Sequence, residues 1–335
     1  QLQLLFCGSP PIAVSNTKEW VELNVVPYWP ATKIIRIMVG NEVLSTANKF
    51  LIFSLVPAMQ TLHAALKQVS MEKYIQVSTP HSLSILSTSN PPSTGRFRQA
   101  YDVHIIKPLL AFLRSTSSPF MINSYPFFGC SPETLDYALF RPNPGVIDEN
   151  TGLIYTNMLD AQLDAVHSAM KLIGFPDVDT VIAQTGWPSQ GEVTQVGVDP
   201  ESATQYNRNL IKHVKSGTGT PLMPNPSFET YIFALFNEDL KPGPKCERNF
   251  GLFHPNTTQV YDVGIQKPKV AAGIQILLPA ADQYLFFFLL QLNLSQLRNC
   301  AGDTKSDGAY LPAKHIQTSR FFNYEELVRP ERKSG

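Results

Sequence analysis

Glu42 closes the segment Ile34-Ile35-Arg36-Ile37-Met38-Val39-Gly40-Asn41-Glu42. A carboxyl group delivered to the end of an apolar strand is partly removed from water, which raises its pKa and suits general acid catalysis. Asn41 beside it offers an amide to bond a hydroxyl group. A second constellation is Gln184-Thr185-Gly186-Trp187-Pro188-Ser189, where glycine permits a tight turn and the indole is a flat stacking surface. A third combines Asn237-Glu238-Asp239-Leu240-Lys241 with Glu247-Arg248-Asn249-Phe250-Gly251-Leu252-Phe253, charges placed to form an ion-pair network beneath a site. Tyr125, Phe127 and Phe128 form an aromatic cluster at another strand end. Each group also has a plainer reading: a surface glutamate, a core indole, a solvated loop, ordinary core aromatics. The seven histidines form no catalytic pair, and neither HExxH nor a nucleophile elbow occurs. His81, at a strand end, is read as structural.

Short apolar runs that end in polar residues recur along the chain. They are Ile34 to Val39, Tyr74 to Val77, Phe120 to Ile122, Thr180 to Ala183, and Tyr231 to Phe236. Runs of this kind suit strands covered on both faces. Between them, Met59, Leu62, Leu66 and Val69 share one helical face, as do Leu159, Leu163, Val166 and Met170, and Tyr206, Leu210 and Val214. Leu109, Leu110 and Leu113 mark a further helix with Pro108 in its first turn. Strand–helix alternation implies a parallel sheet with helical crossovers. Polar residues at every strand's carboxyl end favour a (β/α)₈ barrel over a doubly wound sheet, which would normally offer a glycine-rich phosphate turn. Only 33 residues precede Ile34, room for about one more strand–helix unit, so the barrel is expected to lack its first two strands. Such a barrel would expose two sheet edges. Residues 1–265 are assigned to this incomplete barrel and 266–335 to an unrelated tail of unknown fold, expected to be poorly ordered.

Composition narrows the function classes. Lys+Arg and Asp+Glu each number 27, so the formal net charge is zero, which argues against binding nucleic acid by phosphate neutralisation. Charged residues make up only 16% against about a quarter in average proteins. The apolar stretch Tyr284 to Leu292 is about nine residues, against the roughly 20 that a membrane-spanning helix needs, so no transmembrane segment is expected. The four cysteines lie far apart and have no zinc-ligand spacing, so metal and cofactors are expected to be absent. Buried or free thiols are favoured, with no disulfide assignable. No intact signal peptide is visible.

The motifs together resemble the plant glucan endo-1,3-β-glucosidases of glycoside hydrolase family 17. The resemblance rests on Val39-Gly40-Asn41-Glu42-Val43, Ser78-Thr79-Pro80-His81-Ser82 and Pro119-Phe120-Met121-Ile122-Asn123-Ser124-Tyr125-Pro126. It continues through Thr185-Gly186-Trp187-Pro188-Ser189, Phe236-Asn237-Glu238 and the segment from Glu247 to Phe253, covering about Trp20 to Ile265. It implies a TIM barrel that cuts internal β-1,3 links with retention, using two carboxyls about 5–5.5 Å apart. Glu42 matches the acid/base. Glu238, Lys241 and Glu247 match the charged residues around the cleft. Asn41, Asn123, Tyr125, Phe128 and Trp187 are the further substrate-binding candidates.

The departures from the family pattern are as specific. The position before Thr185-Gly186-Trp187, which is the nucleophilic glutamate in the family, is Gln184 here. An amide keeps the shape but has no charge with which to attack. The absence of that charge should also lower the pKa of Glu42 relative to a chain with glutamate there. The family's first-strand Asn-Tyr-Gly segment is absent. Three readings therefore stand open: an endo-β-1,3-glucanase, a non-catalytic β-1,3-glucan binder, and a non-functional gene fragment. The resemblance implies a callose- or laminarin-type glucan as partner, a monomer, and an extracellular location in cell wall or apoplast, with plasma-membrane anchoring in some members. Plant defence and carbohydrate metabolism are the corresponding roles. Asn256-Thr257-Thr258 and Asn293-Leu294-Ser295 are glycan-acceptor triplets.

Overall fold

A computed structural model describes residues 14–225 and 228–265, together with the backbone of short strands at 2–4, 287–290 and 318–323. The parallel strands are β1 (Leu2–Leu4), β2 (Arg36–Val39), β3 (Gln76–Ser78), β4 (Pro80–Ser82), β5 (Phe120–Asn123), β6 (Thr180–Thr185) and β7 (Thr230–Ile232). They pair in the order β1-β2-β3 and β4-β5-β6-β7, all parallel. Thr79 alone separates β3 from β4, so one run of chain passes from the first group to the second. The described sheet thus has six successive parallel positions, two fewer than a closed (β/α)₈ cylinder. One outer edge is not free: residues 318–323 pair antiparallel with β7. The rest of the segment assigned as a tail, including most of Tyr284 to Leu292, the triplet at Asn293, Cys300 and, at the other end, Cys7, lies outside the described residues. Cys130 and Cys246 are free thiols.

The helical crossovers are α1 (Val14–Asn24), α2 (Lys49–Gln68), α3 (Lys107–Ser115), α4 (Met158–Leu172) and α5 (Pro200–Ser216). Their starts are chemically marked. Asn48, Asn157 and Asp199 each accept backbone N–H bonds from the first turns of α2, α4 and α5. Pro200 opens α5, and Gly217 closes it in the left-handed conformation at φ 70°. The expected apolar faces are the buried ones: Met59, Leu62 and Leu66 of α2, Leu159, Leu163, Val166 and Met170 of α4, Tyr206 and Leu210 of α5. By length and composition α2 is apolar enough to cross a membrane, with a mean hydropathy of 1.3, contrary to the expectation that no segment would be. Its apolar side packs on the sheet through Ile52, Leu55, Met59, Leu62 and Leu66, which is the burial required of a crossover helix between β2 and β3.

The amino ends of the strands are tied by a buried ion pair. Arg36, 5% exposed, donates Nη1 to Glu229 at 2.9 Å and Nη2 at 3.1 Å, while its Nε and Nη2 reach Gln76. This joins β2 to the residue preceding β7. Burial alone would raise the Glu229 carboxyl, but the Arg36 contact and the Tyr231 hydroxyl hold it below its ordinary value. Removing one member strands the other charge in the interior. Glu229→Ala is therefore expected to cost about 3–5 kcal/mol in urea unfolding; a loss under about 1 kcal/mol would show that the pair carries no structural weight. Because the folded pKa is depressed, this stabilisation is present above the unfolded carboxylate pKa of about 4.3 and is lost as pH falls through the folded value.

Candidate active site

The strands' carboxyl ends converge on one cleft of about 520 Å³. Its lining includes Asn41, Glu42, Asn123, Tyr125, Phe128, Gln184, Lys241 and Glu247. These eight come from the ends of β2, β5 and β6 and from the loop beyond β7, so the sheet does the gathering. Glu42 is set by the turn that ends β2. Gly40 has φ 71°, and a Cβ there would lie 2.4 Å from Val43 Cγ2, so the position demands glycine. Glu42 itself sits at φ 53° and ψ 33°, in the left-handed region that costs a non-glycine residue roughly 1–2 kcal/mol. Its N–H donates to the Pro80 carbonyl at 2.9 Å, which holds the strained turn against β4.

Asn123 links the two halves of the cleft. Its Nδ2 donates to Glu42 Oε1 at 2.7 Å and to Asn41 Oδ1 at 3.1 Å. In the sheet, Asn123 is the register partner of Gln184, after a one-residue irregularity beyond Ile182. Such a bulge re-aims the side chain that follows it. Ser124 N–H donates to the Gln184 carbonyl at 2.9 Å, and the Tyr125 hydroxyl donates to Gln184 Oε1 at 2.9 Å. Residues 42 and 184 therefore both adjoin Asn123 on one rim. Gly186 lets the next strand approach, since a Cβ there would lie 2.0 Å from the Phe233 carbonyl oxygen.

The electrostatics separate the two positions. Burial pushes the Glu42 carboxyl above its ordinary range; the Asn123 bond and the Lys241 charge oppose this, and Glu247 adds to it. The rise exists with an uncharged amide at 184, so desolvation and not a paired carboxylate is its main source. Burial, followed by the charges of Glu42, Glu247 and Glu238, also pushes the Tyr125 phenol well up. It keeps its proton and serves as a donor. Lys241 Nζ lies 3.0 Å from Glu247 and 3.5 Å from Glu238, and 4.7 Å above the Phe233 ring. This is the ion-pair network expected from the charges alone. Glu238 belongs to it but does not line the cleft.

Aromatic rings also line the cleft. Tyr125 lies 5.6 Å from Phe128, 5.8 Å from Phe250 and 6.3 Å from Phe233, with ring planes inclined at 61–82°. Phe128 is 62% exposed. The expectation for Trp187 is corrected. It is fully buried, packs on Phe127 and Tyr206 at 5.3 Å, and donates its indole N–H to the Gly197 carbonyl, so it cannot stack on a bound ring. The plainer core reading of that indole holds. His81 is buried against Phe120 with its pKa lowered by desolvation to about 3, and it stays out of the cleft. Ser82, Leu83, Ser84, Phe233 and Phe250 line the cleft without having been singled out. Ser82 ends β4, and both it and Phe250 lie in quoted motifs, so their positions were readable; Phe233 sits within an apolar run and carries no such signal.

A parallel α/β barrel whose carboxyl-end cleft holds a desolvated glutamate together with aromatic rings is a glycosidase architecture. The chain belongs to the family described as Glycosyl hydrolases family 17, whose model matches residues 12–265. It is 50% identical over 253 residues to glucan endo-1,3-beta-glucosidase 7 of Arabidopsis thaliana, covering 74% of this chain and 50% of that protein. It is 49% identical over 249 residues to a glucan endo-1,3-beta-glucosidase of Triticum aestivum, covering 74% and 54%. The chain thus spans about half the length of these curated relatives. Among solved structures, CJP38, a beta-1,3-glucanase and allergen of Cryptomeria japonica pollen, superposes with a TM-score of 0.70 at 45% identity, covering 75% of this chain and 78% of that one.

Proposed function

We propose that the cleft binds β-1,3-glucan and is the active site of a retaining endo-β-1,3-glucosidase in which an amide occupies the nucleophile's place. The observation that carries the reading is the shared anchorage of Glu42 and Gln184 on Asn123 and its neighbour Tyr125. Glu42, its carboxyl pushed above the ordinary range by burial, is the acid/base. Residue 184 is the position from which the anomeric carbon is attacked. Asn41 and Asn123 offer amides to sugar hydroxyls, and Tyr125 and Phe128 offer ring faces to the apolar side of a pyranose. Lys241 and Glu247 fix the charge around the acid, with Glu238 behind them. With glutamine at 184, attack is suspended while shape and stacking remain, so the chain as it stands binds glucan far better than it cleaves it. That observation also favours the second reading, a β-1,3-glucan-binding protein without turnover.

The relatives' names support a β-1,3-glucan as the ligand, and callose- or laminarin-type chains are the form proposed. An extracellular place in cell wall or apoplast fits the low charge content, and the exposed Asn256 triplet would then be open to glycan addition. A monomer is the state that the family resemblance suggests. Plant defence or callose turnover is the role that follows.

Titration of the chain with a laminarin-type oligosaccharide, followed by calorimetry, tests the binding. Phe128→Ala should weaken it about tenfold, from roughly 1–1.5 kcal/mol of aromatic contact. Equal affinity for a β-1,4-linked chain of the same length, or no effect at Phe128, would remove the glucan reading.

A further inference from the structure

We infer that Gln184 is a modification site: its side-chain amide is hydrolysed by water within the folded cleft, converting residue 184 to glutamate. The chemistry rests on the contacts around the amide, and its consequence, a restored nucleophile, rests on the function proposed above. Three features bring it about. The amide carbonyl already accepts a hydrogen bond from the Tyr125 hydroxyl at 2.9 Å, on the oxygen that would carry negative charge as water adds. Preorganised donors at such an oxygen are the usual way an acyl carbon is activated. Glu42 lines the same cleft and can pass a proton between attacking water and leaving nitrogen. The cleft, about 520 Å³ and open at its mouth, admits water to a side chain that is itself only 7% exposed.

The step balances without a redox partner. Water's oxygen bonds to Cδ as Glu42 takes its proton. The Cδ–N bond then breaks, Glu42 returns that proton to nitrogen, and ammonia departs, leaving a carboxyl group at 184. The competing route, attack by the following backbone nitrogen to form a cyclic imide, needs the main chain to turn. Here residues 184 and 185 are paired in the sheet with Asn123 and Ile232. Direct hydrolysis therefore yields only the ordinary α-linked glutamate, whereas the imide would also yield the γ-linked isomer.

The full chain is incubated in oxygen-18 water, and the peptide spanning residue 184 is followed by mass spectrometry. The expected result is replacement of NH₂ by OH at residue 184, with one oxygen-18 incorporated and no γ-linked product, at a rate far above that of the urea-denatured chain. Tyr125→Phe, which removes only the hydroxyl, should slow it by about 100-fold, and Glu42→Gln should slow it as well. No conversion at 184, or conversion equally fast in the denatured chain, overturns the inference. A parallel glucan assay on Gln184→Glu keeps the two ideas apart. An active variant without conversion of the original chain defeats the modification alone. Conversion followed by an inactive glutamate form defeats the proposed hydrolysis and leaves the modification standing.

Discussion

Gln184→Glu raises the hydrolysis of laminarin-type glucan by as much as about 10⁶-fold, the scale on which loss of a nucleophile is felt in enzymes where it has been removed. The substitution is nearly isosteric. The carboxylate inherits the Tyr125 hydroxyl as a donor, because that phenol is held protonated well above its usual range. It meets no new clash, and the sheet position, paired with Asn123, is unchanged. What it adds is a negative charge beside the Tyr125 hydroxyl. Reducing-sugar release by the two proteins at equal concentration gives the ratio. A ratio near one, with both proteins folded and binding glucan, removes residue 184 from the reaction.

In that glutamate background, Glu42→Gln lowers turnover by about 10²–10⁴-fold, the contribution of a positioned general acid. An amide at 42 keeps an oxygen acceptor for Asn123 and so preserves the turn, but it has no proton to give the leaving oxygen. Substrates whose leaving groups need no protonation, such as dinitrophenyl glycosides, should be spared most of the loss. A merely structural role for Glu42 would depress all substrates alike. The pH dependence has a defined sign. The acid works protonated, burial already raises its pKa, and a carboxylate at 184 raises it further by like-charge repulsion. The alkaline limb of activity, which falls as pH rises through that pKa, therefore lies above the range of an exposed glutamate.

Much of this was legible in the residue pattern because apolar runs buried on both faces leave little choice but a parallel sheet. The runs ending at Val39, Ile122 and Ala183 became β2, β5 and β6, each lengthened or trimmed by one or two residues. The run from Tyr231 to Phe236 became a regular strand only to Ile232, beyond which the chain turns away to receive Phe253. Trp187 was misplaced because residue type says what an indole can do and not which way it points. Just past the end of β6 it lies inward, where Tyr206 packs against it and the Gly197 carbonyl accepts its N–H. Asn123 was named as a binder, yet its place at the centre of the cleft depends on the register of β5 against β6 and on a bulge, neither of which is written in either strand alone. The place of Glu42 at the end of β2 was legible because Gly40-Asn41-Glu42 is a turn that glycine must open. Its raised pKa became arguable only once burial and the Lys241–Glu247 pair were known.

The central claim is that positions 42 and 184 stand across one sugar from each other at the spacing of a double displacement, about 5–5.5 Å between carboxyls. Proton NMR of the first product released by Gln184→Glu, read before mutarotation, tests it most directly. The account requires the β-anomer to appear first, since attack from 184 and then by water inverts the anomeric centre twice. An α-anomer appearing first would mean a single displacement by water between more distant carboxyls, and would contradict it.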